Sequence, residues 1–228
     1  MPLPRTLEPE VMDTVEDAVD YDGMDHSTVN QVFVEDLLQF LNAANVAGAL
    51  SSSVLVDLGT GTARIPLELA ERWTDAAWIA ACDLSFEMLK LGRRHIVHRR
   101  REEAVCPIYC DARRLPFATD SVGGVISNSI VHHIPDPVPV LRETRRVLRP
   151  GGIVYFRDLL RPESSDEVDR LVQQYAGDEN EHSQCLFRES LHAALTVDEM
   201  TQILNDAGLT ECVVTQTSDR HWTVSGTA

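Results

Sequence analysis

Between residues 54 and 159, short apolar segments alternate with amphipathic ones, and this alternation restricts the fold more than any other feature. Val54-Leu55-Val56 is a short apolar run that ends in the turn Asp57-Leu58-Gly59, which is typical of a buried strand. The pattern then predicts strands at 77–82, 105–110, 122–127 and 151–159, with helices at about 62–73, 85–100 and 137–148. Such alternation indicates a parallel sheet covered by helices on both faces.

The flanking segments are predicted to add to this core. Residues 1–26 are acidic and are interpreted as irregular, whereas apolar residues from Val29 to Leu41 recur at helical spacing. Residues 42–53 are interpreted as a linker, and residues 160–192 as a charged insertion with a helix around 165–175. Thr196 and Glu199 form a capping-box pattern that opens a helix ending at Gly208. Two alternating segments near 212–214 and 222–224 are predicted to pair as a hairpin at the sheet edge.

These patterns predict an α/β fold with a doubly wound, mostly parallel seven-stranded sheet and an antiparallel edge hairpin. Residues 1–45 are predicted to form an amino-terminal helical lid. Residues 46–228 are predicted to form the main domain, with a cap insertion at about 160–195.

Composition limits the partners. The chain has 36 acidic and 20 basic side chains, a net charge of −16, which argues against nucleic acid and against stable association with anionic membranes. No apolar run approaches the roughly 18 residues of a membrane helix, and the amino end lacks the apolar core of a signal peptide. The five cysteines include no Cys-x-x-Cys pair, as expected for free thiols in a reducing compartment. We therefore expect a cytoplasmic protein.

Three predicted strands each end in an aspartate. Asp57 precedes a turn that contains Gly59 and Gly61, and Asp83 and Asp111 end the next two strands. Open parallel sheets bind ligands beyond the carboxyl ends of their strands, so these side chains are expected to converge on one crevice. Asp57 favours a cationic ligand such as a sulfonium amino acid, Asp83 suits two ribose hydroxyls, and Asp111 suits an exocyclic adenine amine. Each aspartate alone is more often a turn residue, but together they predict a ligand site.

A nicotinamide dinucleotide is the alternative ligand for such a crevice. Its fingerprint requires a third glycine three residues beyond Gly61, where this chain has Arg64. Arg64 would crowd the pyrophosphate, and the Asp57 carboxylate would repel it. A nicotinamide oxidoreductase is therefore disfavoured.

Several segments together resemble a known family. They are Asp57-x-Gly59-x-Gly61, Asp83, Asp111-Ala112, Leu115-Pro116-Phe117, Ser127-Asn128, His132-His133-Ile134-Pro135-Asp136 and the run from Leu141 to Gly152. This set resembles the class I S-adenosylmethionine (SAM)-dependent methyltransferases of type 11. Shorter matches resemble the branch that methylates carbon in ubiquinone and menaquinone biosynthesis; they are Tyr21-Asp22-x-Met24-Asp25, Arg161-Pro162, Glu189-Ser190 and Asp206-Ala207-Gly208-Leu209.

The resemblance implies a Rossmann-like methyltransferase fold, SAM as cofactor, S-adenosylhomocysteine (SAH) as product and a small-molecule acceptor. It also implies roles for individual residues. The methionyl group would lie along Asp57, Gly59, Thr60, Gly61 and Thr62, and the ribose would be held by Asp83. Adenine would be flanked by Leu84 and Met88, and its amine would meet Asp111 and Ala112. The methyl side would be lined by Asn128, Ser129 and Ile130, and Tyr21 would cover the cofactor.

The chain also departs from the family pattern. Ala63 replaces the third glycine of the turn, and Gly123 replaces an aspartate usual in the fourth strand. Ser218-Asp219-Arg220-His221-Trp222 stands where the quinone branch has a glycine-rich signature, which argues against a quinone acceptor. A quinone-type C-methyltransferase and a SAM-binding sensor or complex subunit without catalysis remain the alternative functions.

His132 and His133 follow the strand that faces the transferred methyl, so either is a candidate general base. The alternative is that one of them packs beneath the acceptor pocket. The scattered histidines His26, His182, His192 and His221 lack metal-ligand spacing, and no metal site is predicted. Cys185 with other cysteines would suit thiol chemistry such as arsenic methylation, but Cys82 and Cys110 are interpreted as apolar filler.

Overall fold

The structure is a computed structural model that describes residues 3–8, 13–24, 26–44, 46, 50, 53–73 and 78–228. Asp25 and parts of the predicted linker at 42–53 lie outside the described residues.

Seven strands form one sheet in the order β3-β2-β1-β4-β5-β7-β6. Their bounds are β1 Val54–Leu58, β2 Trp78–Asp83, β3 Val105–Tyr109, β4 Val122–Asn128, β5 Leu148–Leu159, β6 Val213–Gln216 and β7 His221–Thr227. The first five strands are parallel, and β7 pairs antiparallel with both β5 and β6. Leu58 at the end of β1 is in register with Cys82 of β2 and Ser127 of β4. The carboxyl ends of three strands therefore lie side by side.

Eight α-helices are described along the chain. They are α1 Val15–Gly23, α2 Ser27–Ala43, α3 Arg64–Arg72, α4 Phe86–His98, α5 Val138–Val147, α6 Ser165–Ala176, α7 Glu181–Ala193 and α8 Val197–Ala207. One apolar core joins β-strand residues to Leu141 of α5 and Leu204 of α8, and a second joins the sheet to Phe33 of α2 and Leu67 of α3. Because apolar side chains cover both faces of the sheet, the predicted doubly wound α/β fold with its antiparallel edge is confirmed.

The amino-terminal prediction was partly wrong. Residues 1–26 were expected to be irregular, but α1 begins after Thr14, whose hydroxyl accepts from the Asp17 backbone N–H in a reciprocal capping box. Only Ala18 of this helix is buried, so its sequence carries little of the apolar periodicity that reveals a helix.

Two further elements differ from the prediction. Helix α7 was not predicted as a separate helix within the charged insertion; Asn180 caps it through a hydrogen bond from the Ser183 backbone N–H, 3.0 Å long. Strand β5 begins at Leu148 and not at Gly151, and its register against β4 shifts between Val122 and Gly124. The strand therefore includes Leu148, Arg149 and Pro150, which lie ahead of the predicted strand.

In the described part of the chain, no helix combines the length and apolar character needed to cross a membrane.

Candidate active site

The turn after β1 requires glycine for two separate reasons. Gly59 and Gly61 adopt positive φ angles of 67° and 54°, a region that glycine occupies without steric cost. A Cβ on Gly59 would also lie 1.8 Å from the Cγ2 atom of Ile130. The absent side chain at Gly59 thus lets β1 end directly against the loop that follows β4.

Ala63, where the family has glycine, takes the same left-handed conformation with φ 60° and is fully buried. This conformation costs an L-residue about 1–2 kcal/mol. The Ala63 methyl group is buried in the apolar core between the sheet and α3, and this burial offsets part of that cost.

A cleft of about 870 Å³, part of it open to solvent, lies at the carboxyl edge of the sheet. Ten of the predicted cofactor residues line it: Tyr21, Gly59, Gly61, Asp83, Leu84, Met88, Asp111, Ala112, Ser129 and Ile130. The other four, Asp57, Thr60, Thr62 and Asn128, do not form its walls. These ten residues lie on α1, β2 and α4 and in the turns after β1, β2, β3 and β4, so the cleft joins parts of the chain that are far apart in the sequence.

Asp83 is held rigidly in the cleft. One carboxylate oxygen accepts from the Gly61 backbone N–H at 2.7 Å, and the other accepts from the Ser85 backbone N–H at 2.8 Å. Burial raises the pKa of Asp83, while these donors act in the opposite direction. A carboxylate has about four acceptor sites, so two bonds to the backbone leave capacity for ligand hydroxyls.

Asp57 lies behind the glycine turn, only 2% exposed. Its Oδ2 atom has no hydrogen-bond partner among the described residues. Burial raises the pKa of Asp57 to about 7, and the nearby Asp83 charge acts in the same direction. The unpartnered oxygen of this buried carboxylate favours a cation close by.

Asp111 was expected to meet the adenine amine. Its Oδ1 atom accepts from the backbone N–H of Arg113 at 2.8 Å and from its guanidinium Nε at 2.9 Å. Arg113 itself lines the cleft, and sequence reasoning missed it because its contact with Asp111 depends on the turn that follows β3.

Tyr21 of α1 closes one side of the cleft. Its Cε1 atom lies 3.5 Å from the position that a Cβ on Gly61 would occupy. The next residue, Asp22, accepts from Arg64 at 2.8 Å and contacts the His95 Nε2 atom at 2.9 Å. Arg64, which argued against a dinucleotide, thus anchors the helix that carries Tyr21.

Comparisons with known proteins agree with this geometry. Residues 56–156 match the family described as "Methyltransferase domain". The chain is 37% identical over 111 residues to demethylmenaquinone methyltransferase of Mycobacterium marinum (strain ATCC BAA-535 / M), covering 49% of this chain and 43% of that relative. It is 26% identical over 190 residues to arsenite methyltransferase of Aquipseudomonas alcaligenes, covering 80% and 52%. The chain therefore spans about half the length, or less, of these curated relatives.

Solved structures share the whole fold. A SAM-dependent methyltransferase from Aquifex aeolicus superposes with a TM-score of 0.67 at 16% identity, covering 94% of this chain and 98% of that one. Residues 56–156 are thus similar to a methyltransferase domain, and the chain shares the fold of a SAM-dependent methyltransferase. The cofactor implied by this family and fold is SAM, as the sequence predicted.

The two candidate bases have different surroundings. His133 lines the cleft, whereas His132 is buried and does not. His132 Nδ1 lies 2.5 Å from a carboxylate oxygen of Asp158, a residue near the end of β5 that sequence reasoning missed. Burial lowers the pKa of His132, but the Asp158 charge outweighs it and the net pKa is raised. Like Asp57, Asp83 and Asp111, Asp158 is an aspartate near the end of a strand, and this pattern in the sequence could have revealed it.

An amino-terminal segment, residues 3–8, packs beside these histidines. The Arg5 guanidinium donates to the backbone carbonyl of Ala193 at 2.7 Å and to that of Ile134 at 2.9 Å. The backbone N–H of Thr6 donates to the carbonyl of His192 at 3.0 Å. The segment thereby joins α7 to the loop after β4.

Proposed function

We propose that this chain transfers the methyl group of SAM to a small-molecule acceptor. The observation that carries the proposal is the orientation of Asp83, which two backbone N–H groups hold at the cleft edge with acceptor capacity left over. Tyr21 and Met88 line the same cleft, so an apolar cover and a carboxylate face one ligand.

The proposed cofactor roles follow the predicted ones. Gly59 and Gly61 border the methionyl end, and Asp57, Thr60 and Thr62 support this turn from behind, with Asp57 acting through its charge. Asp83 binds the ribose hydroxyls, while Leu84, Met88, Asp111 and Ala112 surround adenine. Asn128, Ser129 and Ile130 lie at the methyl side, and Tyr21 covers the cofactor.

When bound, the sulfonium supplies a methyl group that is already electrophilic. The remaining task of the protein is to align the acceptor with it, and such positioning can contribute about 7 to 11 kcal/mol. Ser129, Ile130 and His133 line one part of the cleft and are the proposed alignment surface.

A base is needed only for an acceptor that must lose a proton. We assign that role to His133, because it lines the cleft, and assign His132 a positioning role through Asp158. The relatives carry names that refer to demethylmenaquinone, arsenite and the malonyl-[acyl-carrier protein], so family likeness does not favour one acceptor. The proposal is therefore limited to a small-molecule acceptor.

Calorimetric titration with SAH tests the cofactor assignment through Asp83→Asn. A hydrogen bond to a charged group contributes about 1.5 to 3 kcal/mol, so affinity should fall at least about 10-fold. Asp120→Asn is the matched control, since Asp120 is exposed ahead of β4 at the opposite edge of the sheet. Equal SAH affinity in both variants would refute the ribose assignment.

Turnover is tested separately by SAH formation over a panel of phenol, amine, thiol, arsenite and quinone acceptors. Product formed with one acceptor class supports the proposal. Tight SAM binding with no product from any class would favour a cofactor sensor or a subunit of a complex.

A further inference from the structure

Glu8, His132 and His133 bring three metal-ligating atoms together beside the cleft. The Glu8 Oε1 atom lies 3.1 Å from His133 Nδ1 and 3.4 Å from His132 Nε2. All three ligand atoms lie within 4.8 Å of one another. The cluster joins residues more than 120 positions apart in the chain, which is why histidine spacing alone did not reveal it.

His132 is oriented as a metal ligand would be. Because its Nδ1 atom is engaged by Asp158, its Nε2 atom is the one that faces Glu8. The Asp158 carboxylate is itself fixed by backbone N–H groups of Val131 and Leu159, at 2.5 Å and 2.6 Å. Metal-bound histidines almost always donate their other ring N–H to such an anchored group.

Glu8 supplies a buried carboxylate oxygen, Oε1, that accepts no hydrogen bond from the described residues. Its side chain is 7% exposed, and its Oε2 atom accepts from the Ser190 hydroxyl at 3.0 Å. The Oε1 atom, which faces both imidazoles, has no hydrogen-bond partner in the described part of the chain. A buried carboxylate oxygen is costly in free energy unless a cation or donor compensates it.

A proton on His132, a proton on His133 or a metal ion could compensate Glu8. The geometry favours the metal, because Glu8 Oε1 has no hydrogen-bond partner among the described residues although it lies near both imidazoles. An N–H···O hydrogen bond normally spans 2.7–3.2 Å, so the 3.4 Å contact from His132 Nε2 is too long. Tetrahedral ligands at about 2.0–2.1 Å from a zinc ion lie about 3.3 Å apart, close to both Glu8 contacts.

We propose that Glu8, His132 and His133 bind a divalent transition-metal ion, with Zn²⁺ as the best match. Three protein ligands leave a fourth coordination position, as in catalytic zinc sites. The ion would fasten residues 3–8 to the loop after β4. A second consequence rests on the proposed function: since His133 lines the cleft, an acceptor oxygen or sulfur at the fourth position would be polarised by the ion.

The test is metal binding to the purified full chain after dialysis against a chelator. Zinc is measured by mass spectrometry after re-addition, and Co²⁺ is titrated while its visible d–d absorption is followed. We expect one equivalent of metal and the intense bands of four-coordinate Co²⁺. Glu8→Gln and, independently, His133→Gln should weaken binding at least 10-fold.

Controls separate this site from adventitious ligands. His98→Gln alters an exposed histidine on α4, and a Cys106→Ser, Cys185→Ser double variant removes the two exposed thiols. Both should retain the full equivalent of metal. Melting temperatures in chelator verify that each variant folds.

Two results would overturn the proposal: a metal dissociation constant above about 100 μM for the unmodified chain, or equal metal affinity in Glu8→Gln and the unmodified chain. Either result would indicate that a proton, and not a metal ion, bridges the three side chains. SAH affinity distinguishes this failure from failure of the proposed function. Glu8→Gln leaves Asp83 and its two backbone donors unchanged, so it should bind SAH normally whatever its metal content.

Discussion

Asp57 and Asp83 both end buried strands, yet their carboxylates differ in what surrounds them. The Asp83 carboxylate accepts two backbone N–H groups, whereas the Asp57 Oδ2 atom has no partner among the described residues. Strand phasing in the sequence predicted that both residues lie at the same edge of the sheet. It could not predict the pairing, because the donors to Asp83 come from a turn 22 residues earlier and from the start of α4.

Asp57→Asn should stabilise the unliganded protein at alkaline pH. Burial raises the pKa of Asp57 from 3.8 to about 7, so the folded state holds a proton that the unfolded state releases. The contribution of Asp57 to the free energy of unfolding is therefore complete below pH 4 and is lost as the pH rises to about 7. Melting temperatures from pH 5 to pH 8 should fall less steeply for Asp57→Asn than for the unmodified chain.

Asp120→Asn, exposed in a turn, is the control and should keep the unmodified pH slope. An Asp57→Asn slope identical to that of the control would show that the carboxyl titrates normally.

At the scale of elements, helix α1, which sequence reasoning missed, is held by distant contacts. Helix α1 contributes one buried residue, but Asp22 joins it to Arg64 of α3 and His95 of α4. Helices α5 and α8 were predicted because their apolar faces and caps lie within their own sequence. For α1, the stabilising partners are 42 and 73 residues away, and no local pattern encodes them.

Asp22→Asn should therefore weaken cofactor binding through Tyr21. Loss of the contacts to Arg64 and His95 releases the helix that holds the tyrosine against Gly61. Partly exposed ion pairs contribute about 0.2 to 1 kcal/mol each, so the dissociation constant of SAH should rise roughly 2- to 10-fold. Calorimetric titration measures it.

Asp20→Asn is a matched control on the same helix, because Asp20 is exposed. The lid interpretation of residues 1–45 fails if the two variants bind SAH with equal affinity.

At the scale of the whole molecule, the sequence predicted the sheet but not the packing of residues 3–8 against α7. Alternating strands and helices were sufficient for a doubly wound sheet, because each element buries apolar residues against its neighbours. The contact of residues 3–8 with α7 was not predicted, since the Arg5 side chain meets the Ala193 carbonyl across 188 positions. That contact is polar and involves backbone carbonyls, which no side-chain pattern reveals.

Ligand-dependent melting is the measurement that belongs to this scale. SAH at about 100 times its dissociation constant should stabilise the fold by about 2.7 kcal/mol, or roughly 5 to 11 °C for a chain of this size. NAD at the same concentration should give no shift, because Arg64 occupies the position of the third dinucleotide glycine. A larger shift with NAD would contradict the cofactor assignment.

Residues 3–8 and Ala228 lie near opposite edges of the sheet, and this affects how the protein should be produced. Leu3 to Glu8 lie beside the loop after β4, whereas the Ala228 carbonyl accepts from the Gly151 backbone N–H near the start of β5. A purification tag joined ahead of Leu3 would crowd the Glu8 cluster and the cleft next to it. A tag placed after Ala228 would leave that edge free, so kinetic and metal-binding work should use carboxyl-terminal fusions.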